Sequence, residues 1–178
     1  ALFALGDIFI KMSGAFLSPT QIMFILISSG LIIFTLIALA KGEKLNDSKA
    51  FAPTLVLRYF AEMVGFLGMI MALTNVPLSI VGSITQASPI LVAFGSVMFL
   101  KEIVGWRRWG SIILGFLGVL LVIQPGEAGL DYSVAWAVIA LLAFSSRDLL
   151  TRLTPPAIAS VSLAAFAMVS ALPCTVIW

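Results

Sequence analysis

The sequence predicts an all-α polytopic membrane protein, a bundle of about seven transmembrane helices, and three observations lead there. The 178 residues are 61% hydrophobic and only 10% charged, with a mean hydropathy of +1.17. Soluble domains carry about 25% charged residues, so this composition suits a lipid solvent better than water. The apolar residues also fall in runs near the roughly 20 residues that a helix needs to cross hydrocarbon. Finally, Trp106-Arg107-Arg108-Trp109 brackets two cations with two indoles between two such runs. That arrangement suits a membrane interface, where rings sit at headgroup level and cations reach the polar phase.

The segments follow in order. The first extends to about residue 15, carries Asp7 and Lys11, and turns at Leu17-Ser18-Pro19. The second, about 20–40, is uncharged and opens into a polar loop at 41–49. The third, about 53–73, begins with Pro53, whose missing N–H costs nothing at a helix start, and contains Arg58 and Glu62. After the uncharged turn Thr74-Asn75-Val76-Pro77, the fourth runs to about residue 100 and holds Gln86, Ser88 and Pro89. The connector 101–109 leads into the fifth segment, about 110–123, which ends at Gln124-Pro125-Gly126, a turn signal. A short acidic loop reaches Asp131. The sixth segment, about 132–153, ends in a cluster containing Arg147, Asp148 and Arg152. Thr154-Pro155-Pro156 turns the chain into the seventh, 157–178.

The order Ala87-Ser88-Pro89, Phe99-Leu100-Lys101-Glu102, Gly115-Phe116-Leu117-Gly118-Val119 and Pro125-Gly126 resembles the EamA-type domain of the drug/metabolite transporter superfamily. The resemblance is densest over 86–126 and extends loosely over the chain. Lys101 stands where that family commonly has glycine before the glutamate, and Ser88 replaces a common alanine. The resemblance implies ten helices in all. It covers amino-acid and metabolite exporters, S-adenosylmethionine-type importers and drug exporters.

An internal repeat points the same way. Asp7 and Asp148 lie 141 residues apart, as do Lys11 and Arg152. The copies lie five segments apart, an odd offset, so the second is inverted in the membrane, a recurring transporter architecture. The expected organisation is therefore a 5+5 inverted repeat, with 1–125 as the first EamA-type repeat and 126–178 as the start of the second. The opening residues lack a signal peptide's basic n-region and cleavage site. The chain begins within an apolar segment and stops at Trp178. An incomplete chain is expected, lacking part of the first helix and three helices after Trp178.

Cations fix the expected orientation. One side or its margin holds Lys41, Lys44, Lys49, Arg58, Lys101, Arg107, Arg108, Arg147 and Arg152, whereas the other holds Lys11. By the positive-inside rule the basic side is cytoplasmic, which suggests a bacterial inner membrane.

Charges inside a bilayer cost about 2.5–3.5 kcal/mol each on insertion scales, so each needs a reason. Counted from Pro53 at about 1.5 Å per residue, Glu62 lies roughly 14 Å deep, near the midplane. Gln86 reaches a similar depth, followed by Ser88 and by Pro89, which withdraws a backbone hydrogen bond and kinks the helix. Glu62, Gln86, Ser88, Asp7, Lys11 and Arg58 are the candidates for substrate binding or coupling, with Pro89 as the kink. Glu62 and Asp7 are the candidates for proton coupling. The plainer readings are ion pairs one turn apart, Arg58 with Glu62 and Asp7 with Lys11. For Arg147, Asp148 and Arg152 topology anchoring is the favoured reading. Ala61 with Gly65, and Ser111 with Gly115, have the small-xxx-small spacing that lets helix backbones approach closely.

No histidine is present, which removes the commonest metal ligand and general base, and the lone Cys174 excludes an internal disulfide or a cysteine metal cluster. The formal charge of +2 is too small to suggest nucleic acid. No cofactor or metal is expected; the expected partners are a small-molecule substrate and the lipid bilayer, and oligomeric state has no sequence signal. The function expected is secondary transport of small organic metabolites (amino acids, nucleoside-like compounds or drugs) by alternating access, proton- or exchange-coupled. A non-transporting membrane scaffold or accessory subunit is the alternative, and a membrane-embedded enzyme a more distant one.

Overall fold

In the computed structural model the described residues are 2–42, 52–101, 105–123, 132–153 and 160–175. Helices account for most of them: α1 (Leu2–Ser13), α2 (Pro19–Ala40), α3 (Pro53–Asn75), α4 (Leu78–Thr85), α5 (Ser88–Leu100), α6 (Trp106–Ile123), α7 (Tyr132–Arg152) and α8 (Ser160–Ala171). A 3₁₀ turn, Leu172–Thr175, follows α8. The turn at 124–126, the acidic loop, the proposed repeat boundary at 125, Thr154-Pro155-Pro156 and most of the 41–49 loop lie outside the described residues.

Local chemistry sets the helix starts. Ser18 caps α2 through a reciprocal box: its Oγ accepts from the Gln21 N–H at 3.3 Å, and Gln21 Oε1 accepts from the Ser18 N–H at 3.0 Å. Prolines occupy the first turns of α2, α3 and α5, where no intrahelical N–H is needed. Helix α6 begins at Trp106, four residues before the expected start, so Arg107 and Arg108 belong to its first turn rather than to a connector. Trp109 then meets Phe94 of α5 edge-to-face, with ring centroids 6.2 Å apart.

The fourth apolar run is divided. α4 ends at Thr85 and α5 starts at Ser88, with Gln86 and Ala87 making the bend. Pro89 has no N–H to give the Thr85 carbonyl, and its ring crowds that carbonyl. The interruption therefore falls just before the proline.

Among the described residues four spans are long and apolar enough to cross a membrane: Pro19–Ala40, Pro53–Asn75, Leu78–Leu100 and Ser133–Arg152. Burial in the bundle is inverted relative to a soluble protein. Large apolar side chains such as Phe24, Ile32, Leu36, Met98 and Leu114 face outward, whereas Arg58 and Glu62 are only 9% and 8% exposed. Only a surrounding apolar solvent makes that pattern favourable. The molecule is an integral, multi-pass membrane protein.

At the centre α3 packs along α7, with α8 beside α2 and α3, α4 and α5 against α7, and α6 against α4 and α5. Small residues on one face of α3 (Ala61, Gly65, Gly68 and Ala72) are buried. A Cβ on Gly68 would lie 3.0 Å from both the Ala140 nitrogen and the Trp136 carbonyl oxygen of α7, so the two backbones nearly touch. Gly65 leaves room for the Phe144 ring, which a Cβ there would meet at 2.6 Å. In the same way Gly115 of α6 admits Ile90 of α5.

Candidate functional site

The close approach of α3 and α7 brings together charges that lie 85 residues apart in the chain. Arg58 and Glu62 stand one turn apart on α3, with Nη1 and Oε2 separated by 3.2 Å in an ion pair. Those two atoms are buried and face each other outside hydrogen-bonding angles. The other carboxylate oxygen, Oε1, accepts from Arg147 Nη1 at 3.2 Å. Arg147 Nη2 and Nε both donate to Asp148 Oδ1, at 2.7 and 3.0 Å. Charges thus alternate along Arg58–Glu62–Arg147–Asp148, and the row is formally neutral. A buried ion is tolerable only when paired and hydrogen-bonded; each group in this row has an opposite charge beside it and at least one hydrogen bond.

Neighbouring groups hold the row in place. Arg58 Nε donates to Thr151 Oγ1 at 2.9 Å, and Thr151 in turn donates to the Arg147 carbonyl at 2.8 Å. The Arg147 guanidinium lies 4.9 Å from the centroid of the Phe144 ring, a cation–π contact. Two residues before Arg147 on the same helix, Ser145 Oγ lies 3.3 Å from Ser88 Oγ, and either hydroxyl can donate. Helix α7 therefore ties Glu62 of α3 and Ser88 of α5 to one wall.

That wall borders a cavity of about 790 Å³. Its polar lining consists of Asp7 from α1, Thr85 and Ser88 from the α4–α5 bend, and Arg147 and Asp148 from α7. Pro89, Phe66, Phe144, Met69, Ile10, Ile70, Leu26 and Leu141 complete it. Phe66 and Phe144 stand nearly perpendicular, centroids 5.9 Å apart, as a T-shaped pair. The volume falls in the range of small-molecule sites, which are mostly apolar with a few placed polar groups.

The candidate residues divide by position. Asp7, Ser88 and Pro89 line the cavity; Glu62 and Arg58 lie behind Arg147; Gln86 is exposed at the bend and stands apart from the lining. Lys11 donates from Nζ to the Val76 carbonyl at 2.6 Å, capping the C-terminal end of α3. Among the described residues no ion pair joins it to Asp7. Sequence reading favoured Arg147 and Asp148 as interface anchors and did not single out Ser145, Thr151 or the Phe66–Phe144 pair. The signal for Asp148 was its 141-residue offset from Asp7: both carboxylates face the same cavity.

No solved structure matches the chain significantly. Among curated proteins it is similar to the S-adenosylmethionine uptake transporter of Rickettsia prowazekii (strain Madrid E), 21% identical over 84% of this chain and 50% of that protein. It also resembles the riboflavin transporter of Rhizobium johnstonii, 27% identical over 53% of this chain and 32% of that protein, and that of Vibrio cholerae, 26% identical over 54% and 33%. The chain spans about half the length of the S-adenosylmethionine uptake transporters it matches. The sequence profile of the EamA-like transporter family matches residues 1–124, more than half of the chain. Helical architecture, apolar exterior and sequence profile agree: this chain belongs to the EamA-like transporter family.

Proposed function

We propose that the protein is a secondary transporter of small organic metabolites and that the cavity between α1, α3, the α4–α5 bend and α7 is its substrate site. The observation that carries this reading is the polar lining itself: Asp7, Ser88, Arg147 and Asp148 converge on one space inside an otherwise apolar bundle. Ionisable groups in a membrane interior that face a cavity mark solute or ion pathways by default. The S-adenosylmethionine and riboflavin named for its relatives are the first metabolites to try.

The mechanism proposed is alternating access, with two inverted repeats of five helices rocking about the site. The 141-residue correspondence of Asp7 with Asp148 and Lys11 with Arg152 supports that architecture. The asymmetry of cations supports cytoplasmic basic loops and a bacterial inner membrane. Proton coupling is assigned to Asp7, which lines the cavity without an ion-pair partner among the described residues. Glu62, held between two guanidiniums, serves as the clasp between α3 and α7.

Solute uptake by proteoliposomes tests the reading. Uptake of at least one metabolite of a panel that includes both named compounds is expected. Protein that inserts and is monodisperse, yet moves no member of the panel, contradicts it.

A further inference from the structure

The cavity's charges are unequally satisfied, and that inequality bears on what it accepts. Arg147 is the only cation in the described lining, and its charge is offset on both sides: Glu62 at 3.2 Å and Asp148 at 2.7 Å. An anionic solute entering here finds no uncompensated positive charge. Asp7 is in the opposite condition. It lines the cavity, and among the described residues no cation pairs with it. Lys11, one turn further along α1, is committed to the Val76 carbonyl at the end of α3. Thr85 and Ser88 add two hydroxyls, and the rest of the wall is apolar and includes the perpendicular rings of Phe66 and Phe144.

A low-dielectric space with one unpaired carboxylate and an aromatic wall attracts a positive group on an apolar, ring-bearing body. We propose that this cavity selects ring-bearing organic cations over neutral and anionic analogues, with Asp7 receiving the cationic group. The inference rests on the reading of the cavity as the substrate site. It goes further by assigning a charge class to the solute and a specificity-determining residue to the protein.

Three indole probes that share a two-carbon arm and end in groups of different charge test it: tryptamine (cation), tryptophol (neutral) and indole-3-propionate (anion). Equilibrium binding is measured by radioligand competition on the protein in nanodiscs, with empty nanodiscs subtracted. Tryptamine should bind at least about tenfold more tightly than tryptophol, a difference of about 1.4 kcal/mol, with indole-3-propionate weakest. In Asp7→Asn the tryptamine-to-tryptophol ratio should fall to about one, and in Asp7→Glu it should stay well above one. Equal affinities for the three probes in the wild type, or no tryptamine binding, overturn the proposal. So does an undiminished ratio in a monodisperse Asp7→Asn protein. The uptake panel judges the transport reading separately, because uptake without charge selectivity leaves it standing while removing this inference.

Discussion

Arg147 of α7 lies 3.2 Å from Glu62 of α3, across the close contact of those two helices, and the same guanidinium forms part of the cavity wall. One residue therefore joins the packing of the core to the lining of the site. Both carboxylate oxygens of Glu62 are engaged by guanidiniums, one from its own helix and one from α7.

Removing the carboxylate leaves the buried Arg58 without an ion-pair partner, while Arg147 keeps Asp148. Breaking a buried pair from one side costs about 3–5 kcal/mol. Glu62→Gln should therefore lower thermal stability in detergent strongly. The double variant Glu62→Gln/Arg58→Met should recover part of the loss, because Arg58 is the cation left without a carboxylate, whereas Arg147 keeps Asp148. Thermal unfolding of the two singles and the double gives the coupling; simple additivity would show that the pair contributes nothing specific.

Gly68 faces backbone rather than a flexible side chain. A methyl group there meets the Ala140 nitrogen and Trp136 oxygen at 3.0 Å, and neither can yield without moving a helix. Gly68→Ala should cost about 1–3 kcal/mol, the range for overpacking a tight interface, seen as a drop in unfolding temperature. Gly118→Ala, whose added Cβ meets nothing within 4 Å, is the matched control and should be near neutral.

These contacts show what was legible in the sequence and what was not. The helical spans and the kink ahead of Pro89 were readable because apolar runs and a proline act locally. Ala61 and Gly65 were readable as a packing face for the same reason. Arg147 was not, because its position near the end of its segment suggests an interface, and counting along one helix says nothing about its neighbour. Its partner is fixed by how closely α3 and α7 approach, which Gly65 and Gly68 permit only once those two helices are paired. Gln86 illustrates the reverse: its place beside Pro89 is local, but the α4–α5 bend leaves its side chain exposed and away from the cavity lining.

Lys101 ends α5 in the left-handed region, with φ 54° and ψ 30°, and its N–H reaches back to the Ser96 carbonyl. A side chain costs about 1–2 kcal/mol there, whereas glycine adopts that conformation freely. Glycine is also the residue common at this place in the family the motifs resemble. Lys101→Gly should raise the unfolding temperature, by an amount worth about 1 kcal/mol. An unchanged or lower value would mean that the lysine side chain compensates for its backbone.

Pro89→Ala restores an N–H opposite the Thr85 carbonyl and lets one helix run through Leu78–Leu100. Stability should hold or rise by up to about 3 kcal/mol. Straightening also shifts Thr85 and Ser88, which line the cavity, so uptake should fall. A variant that is both stable and fully active would show that the bend is dispensable.

The most direct test of the cavity as the solute route is reversible blockage at Ser88. A Ser88→Cys protein in a Cys174→Ser background, reconstituted in proteoliposomes, is treated with a methanethiosulfonate reagent and then with dithiothreitol. The account predicts that uptake of a transported metabolite stops on labelling and returns on reduction. Stoichiometric labelling that leaves uptake unchanged would contradict it.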